Sequence, residues 1–126
     1  MKITPVEPPR TFRVGKDDAI EIKDCARIAL DADEQVTFVT EAGGEYDVVR
    51  KSWGFYATPS LNGRLQRFGL RAVLAKNAAG KFYLYLVERG REAEFDRYAQ
   101  VEAQQVVCWL DTDDAVRAAE HRLARR

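Results

Sequence analysis

The stretch from Phe68 to Glu88, FGLRAVLAKNAAGKFYLYLVE, constrains the fold more tightly than any other part of the chain. Phe68, Leu70, Ala72 and Leu74 share one face while Arg71 points away, which is the period of a half-buried strand. Asn77-Ala78-Ala79-Gly80 is a turn signal. Lys81 to Glu88 then carries Phe82, Leu84 and Leu86 on one face and Tyr83, Tyr85 and Val87 on the other. Two such runs joined by so short a turn pair antiparallel. Apolar or aromatic side chains on both faces predict that Lys81–Glu88 is a central strand, covered on both sides.

The rest of the chain supports the same class. Ala19–Leu30 alternates, with Ile20, Ile22, Ala26, Ile28 and Leu30 on one face and Asp24 as the polar exception. The turn at 31–34 leads into a strand over Gln35–Thr40. Gly43-Gly44 supplies the positive φ angles of a tight connection to a strand over Tyr46–Lys51. After Glu88 the period becomes helical. Arg91–Gln104 has Glu92, Glu94 and Asp96 in its first turns, where negative charge complements the helix dipole. Gln105–Leu110 reads as a short strand. Asp111-Thr112-Asp113-Asp114 is an N-cap cluster for a helix over Asp113–Arg125, which ends in Arg122, Arg125 and Arg126. The expected fold is α+β, mainly an antiparallel sheet or small open barrel with two C-terminal helices. The length fits one domain, 1–126, whose residues 1–18 form a proline-rich extended N-terminal arm.

Composition removes several functions. Lys and Arg total 20 against 20 Asp and Glu, a balance that argues against a general nucleic-acid binder. No apolar run approaches the roughly 18 residues needed to span a bilayer. The first residues lack the apolar core of a secretory signal, so the expected location is cytoplasmic. Cys25 and Cys108 sit in apolar segments without metal spacing and read as buried thiols. The one histidine, His121, falls on a solvated helix face, so neither a metal nor a cofactor is expected.

The balance of charge conceals a gradient. Val48–Val87 holds seven basic residues and no Asp or Glu. Inside that block lies WGFYATPSLNGRLQRFG, residues 53–69. One account is structural: Trp53, Phe55 and Ala57 form a strand face, Pro59 ends the strand, and Asn62-Gly63 makes a turn. The other is a ligand site. Arg64, Arg67 and Arg71 offer forked donors for carboxylate or phosphate, Trp53 and Tyr56 offer stacking surfaces, and Ser60 and Asn62 offer orienting hydrogen bonds.

The run from Arg50 to Leu65, with FGLRAVLAKN after it, resembles small bacterial proteins encoded near surface-polysaccharide and sugar-modification genes. The resemblance covers about Ile22 to Asp111 and implies an accessory role in glycan or nucleotide-sugar metabolism, with no catalytic residues to carry over. The leading expectation is thus a binding or accessory protein for an anionic small molecule, a sugar nucleotide or phosphosugar. The first alternative is a cofactor-free sugar isomerase or epimerase, with Tyr56 or Tyr85 as acid and Asp24 as base. The second is a protein-interaction module or homodimer, because interfaces also favour aromatic residues and arginine.

Overall fold

The computed structural model describes residues 1–124 of the chain, so Arg125 and Arg126, expected at the end of the last helix, lie outside the described residues. The fold is α+β, built from antiparallel strands that do not close into a barrel. Among the described residues eight strands form three sheets: β1 (Lys2–Val14) with β2 (Ile20–Ala29), β4 (Glu45–Lys51) between β3 (Gln35–Val39) and β5 (Gly54–Ala57), and β6 (Leu70–Lys76) between β7 (Phe82–Glu88) and β8 (Gln105–Trp109). The chain divides into two compact units that alternate along the sequence: Met1–Val36 with Val48–Tyr56, and Thr37–Asp47 with Ala57–Arg126. The division cuts through β3 (Gln35–Val39) and β4 (Glu45–Lys51), where no linker composition marks it.

The first unit is led by a long hairpin. Most of the segment 1–18, expected to be an extended N-terminal arm, forms β1 (Lys2–Val14), paired antiparallel with β2 (Ile20–Ala29), and Lys16–Asp18 make a 3-10 turn between them. The register runs Lys2 opposite Ala29 to Pro5 opposite Ala26, then resumes at Arg10 opposite Asp24. The prolines Pro8 and Pro9 have no N–H to donate, so the chain bulges out of the ladder there. Asp24, the polar exception of β2, is half-buried and accepts from Arg10 Nε at 3.3 Å. The turn after β2 is held by Glu34, whose carboxylate accepts the Asp31 N–H at 2.7 Å and lies 3.0 Å from the terminal amine. Cys25, read as buried, is exposed because its side chain lies on an uncovered hairpin face.

The second unit contains the core. β6 (Leu70–Lys76) is the central strand, with β7 (Phe82–Glu88) on one side and β8 (Gln105–Trp109) on the other. This corrects the expectation for Lys81–Glu88, which is an edge strand rather than a central one. Its neighbour β6 carries small, fully buried Ala72, Val73 and Ala75, and bonds on both sides. The helix α2 (Glu92–Val101) connects β7 to β8 and covers one sheet face. Tyr85 packs there against Phe95 and Tyr98, at ring separations of 5.5 and 6.0 Å, and Phe95 meets Trp109 at 6.1 Å.

The opposite face is covered at one end only. Leu65, Leu70 and Ala72 form a buried cluster with Tyr46, Leu61, Leu86 and Leu110 against it. Leu65 comes from a short helix, α1 (Arg64–Arg67), in the segment read as turn and loop. The final helix, α3 (Asp113–Ala124), lies against β8.

Candidate functional site

The seven residues expected to form a ligand site are distributed by the fold. Trp53 and Tyr56 belong to the first unit, while Ser60, Asn62, Arg64, Arg67 and Arg71 belong to the second. Trp53 is not on a strand face. It sits at the tip of the hairpin between β4 and β5 (Gly54–Ala57), 71% exposed, with its ring 6.3 Å from that of Tyr56. Gly54 lies at φ 146°, a backbone region that makes this tight reversal accessible to glycine.

The polar residues of the loop serve α1. Ser60 Oγ accepts the Arg64 N–H at 3.0 Å, satisfying one of the free donors at the helix start. Asn62 Nδ2 donates to Asp113 Oδ1 at 3.0 Å, tying the loop to the first turn of α3. Arg117 first, and Asn62 second, hold the Asp113 carboxyl below its ordinary range.

Two arginines face acids that the local sequence did not reveal. Arg64 donates to Asp47 Oδ2 at 3.1 Å and to Thr58 Oγ1 at 2.8 Å. Asp47 is buried and also accepts from Thr37 Oγ1 at 2.6 Å. Arg71 donates to Asp111 Oδ2 at 2.6 Å and Glu92 Oε2 at 3.1 Å, with its guanidinium 4.1 Å from the Trp109 ring centre. The hydrogen bond to Asp111 raises the Arg71 pKa above its already high ordinary value. Both arginines are therefore neutralised within the unit. Arg67 is different: it is exposed, on the last residue of α1, without an acidic partner among the described residues.

Of the groups considered for an enzyme, Tyr56 is exposed beside Trp53, while Asp24 and Tyr85 are tied elsewhere. Asp24 pairs with Arg10 in the β1–β2 hairpin, and Tyr85 is packed into the aromatic cluster under α2. Burial first, then the hydrogen bond with Tyr98, pushes the Tyr85 pKa up to about 12. A phenol held so firmly neutral is a poor donor of protons near neutrality. His121 is exposed on α3, and among the described residues no group of three or more His, Cys, Asp or Glu could hold a metal.

The feature that local patterns did not disclose is the half-open apolar face of the β7–β6–β8 sheet. Leu74 on β6 lies opposite Leu84 on β7 and Cys108 on β8. Leu84 is 54% exposed and Phe82, two residues along the same face, is 59% exposed. Beside them is a groove of about 290 Å³, lined by Leu74, Cys108, Leu110, Ala119 and Leu123, with Arg122 at its rim. A second hollow of about 290 Å³ lies at the other end of the face, over Leu70 and Leu86, and is lined also by Phe38, Val39 and Tyr46. Neither lining contains an acidic residue. The available signal was the unbroken apolar and aromatic run from Phe82 to Val87, which fits an uncovered edge as well as a covered centre.

Among the described residues no helix is long and apolar enough to cross a membrane. The chain matches no protein-family model, and no curated protein or solved structure shows significant similarity to it.

Proposed function

We propose that this chain is a protein-interaction module whose open sheet face receives an amphipathic helix with acidic flanks. The single observation that carries the reading is the groove over Leu74, Leu110 and Leu123, apolar apart from Arg122, its one charged lining residue. Strands lie about 4.8 Å apart and a helix is about 10 Å across with its side chains. With α3 set against β8, the strip left over β6 and β7 is about one helix wide. Lys76 shares the face of Leu74, and Arg122 lines the groove. Neither side chain has an acidic partner among the described residues, so both are available to an acidic flank. Unpaired apolar surface supplies affinity and the flanking charges supply orientation.

The test is fluorescence anisotropy with a labelled amphipathic peptide carrying a leucine stripe flanked by glutamates. The same peptide with lysines in place of the glutamates is the comparison. The acidic peptide is expected to bind, more weakly as salt rises, and Leu123→Asp is expected to abolish binding. Equal binding of both peptides, or of neither, refutes the reading.

A second reading keeps the anionic ligand, a sugar nucleotide or phosphosugar in glycan metabolism, and rests on Arg67 as the unpaired guanidinium of the loop. Stabilisation by such ligands in a thermal-shift screen, lost in Arg67→Ala, would support it. The unpaired thiols of Cys25 and Cys108 fit a cytoplasmic setting for either reading.

A further inference from the structure

The outer edge of β7 is a second surface, independent of the groove. It is defined by the direction of its backbone groups. β6 and β7 pair so that Leu70 faces Glu88 and Lys76 faces Phe82. At the two ends of that ladder, Arg89 N–H donates to the Gly69 carbonyl at 2.8 Å and Asn77 N–H to the Lys81 carbonyl at 2.9 Å. Antiparallel ladders alternate, so odd-numbered residues of β7 turn their N–H and C=O toward β6. Phe82, Leu84 and Leu86 therefore turn theirs away from it, and among the described residues β7 has no other neighbour in its sheet.

An edge of this kind is usually protected by proline, inward-pointing charge, a bulge or brevity. β7 has seven residues, no proline, and a continuous register with β6. Its only charged residue is Glu88, at the end. Phe82, Tyr83 and Leu84 are 59%, 45% and 54% exposed. The chain also has a formal net charge of zero, so no long-range repulsion keeps copies apart.

We propose that two copies of this chain pair antiparallel along β7 about a twofold axis at Leu84, joining two three-stranded sheets into one. The register follows from the side chains. Centring on Leu84 places Leu84 opposite its own copy and Phe82 opposite Leu86, so the outward backbone groups of all three residues find partners. On the other face Tyr83 lies opposite Tyr85, an aromatic cross-strand pair of the kind that stabilises sheets. Centring on Tyr85 instead would set Lys81 against Arg89 and Phe82 against Glu88, one pair repulsive and the other mismatched. A twofold axis normal to the sheet keeps equivalent faces on the same side, so the two open apolar faces become adjacent.

Sedimentation velocity of the full chain is expected to give the mass of two chains. Leu84→Pro removes an N–H that points away from β6, so it leaves the β6–β7 ladder intact and is expected to give a folded monomer. A cross-link tests the register without depending on how that variant folds. In a Cys25→Ser, Cys108→Ala background, Leu84→Cys pairs with itself at a Cα separation of about 5.5 Å, within disulfide reach. Mild oxidation is expected to cross-link it, and to leave Tyr83→Cys uncrosslinked because Tyr83 faces Tyr85. A monomeric wild type overturns the proposal, as does a dimer in which Leu84→Cys fails to cross-link. Leu123→Asp, away from the edge, is expected to leave the dimer mass unchanged, which separates this proposal from the groove reading.

Discussion

Arg71 and Asp111 meet at 2.6 Å across the strand pair at the heart of the second unit, with side chains 27% and 7% exposed. The pair joins the central strand to the second residue past β8, and Glu92 at the start of α2 completes it. Removing the aspartate would leave the guanidinium with Glu92 and the Trp109 ring, but without its shortest acceptor. Because Arg71 keeps that second acid and some solvent, Asp111→Ala is expected to cost about 1–3 kcal/mol rather than more. Chemical denaturation of the two proteins measures it.

Leu65 is the one large side chain of α1 that is fully buried, at 0% exposure. It closes the covered end of the sheet face over Leu70 and Ala72. Leu65→Ala should lower stability by about 2–5 kcal/mol, the usual range for a leucine truncated in a core. Thermal melts read the loss. Arg67→Ala, on the exposed side of the same short helix, should change the melting temperature little.

Gly44 is buried where the β3–β4 turn approaches Leu70. A Cβ there would lie 2.9 Å from Thr40 Oγ1, 3.1 Å from Glu88 Oε1 and 3.2 Å from Leu70 Cδ2. Thr40 donates to Glu88 at that point and also accepts the Gly44 N–H. Gly44→Ala is therefore expected to destabilise by about 1–3 kcal/mol through overpacking. Gly43→Ala meets nothing within 4 Å but sits at φ 97°, so its smaller loss would come from backbone strain alone. Parallel urea titrations compare the two.

Tyr85 titrates late because burial penalises its phenolate and Tyr98 bonds its neutral form. Its folded pKa, about 12, lies above the ordinary 10.0. The native state thus holds the proton more tightly than the unfolded chain. Its contribution is fully present below pH 10 and is lost as pH rises toward 12. Ultraviolet titration should show a tyrosine step as pH nears 12, from the Tyr85 phenol. Tyr85→Phe should remove that step and flatten the alkaline fall in stability.

Much of this architecture was legible in the sequence because strand and helix periods are local. The hairpin Phe68–Glu88, the Gly43-Gly44 connection and the two C-terminal helices all fall close to where alternation, turn residues and capping acids predicted them. The short helix α1 was not legible, since its four residues contain less than two turns of period and Asn62-Gly63 reads as an ordinary turn. The strand over Lys2–Val14 was hidden by prolines, which argue locally against pairing and are accommodated by a bulge. The basic loop raised the question of which negative charge it faces. For Arg64 and Arg71 the acids are Asp47, Asp111 and Glu92, from 17 to 40 positions away in the chain.

By itself the sequence determined most of the segments that extend or coil and where they turn, α1 and the strand over Lys2–Val14 excepted, because those choices depend on neighbours a few residues apart. The tertiary structure decided strand order and charge pairing. β7 and β6 carry similar apolar patterns, yet β6 bonds on both sides and β7 on one. That difference depends on where α2 delivers β8, and strand adjacency is a property of chain crossings rather than of any strand's own residues. The same crossings turned two arginines of an apparent anion site into internal ion pairs. They also left Leu84 at an open edge, its side chain 54% exposed and its outward backbone groups without a partner from the sheet.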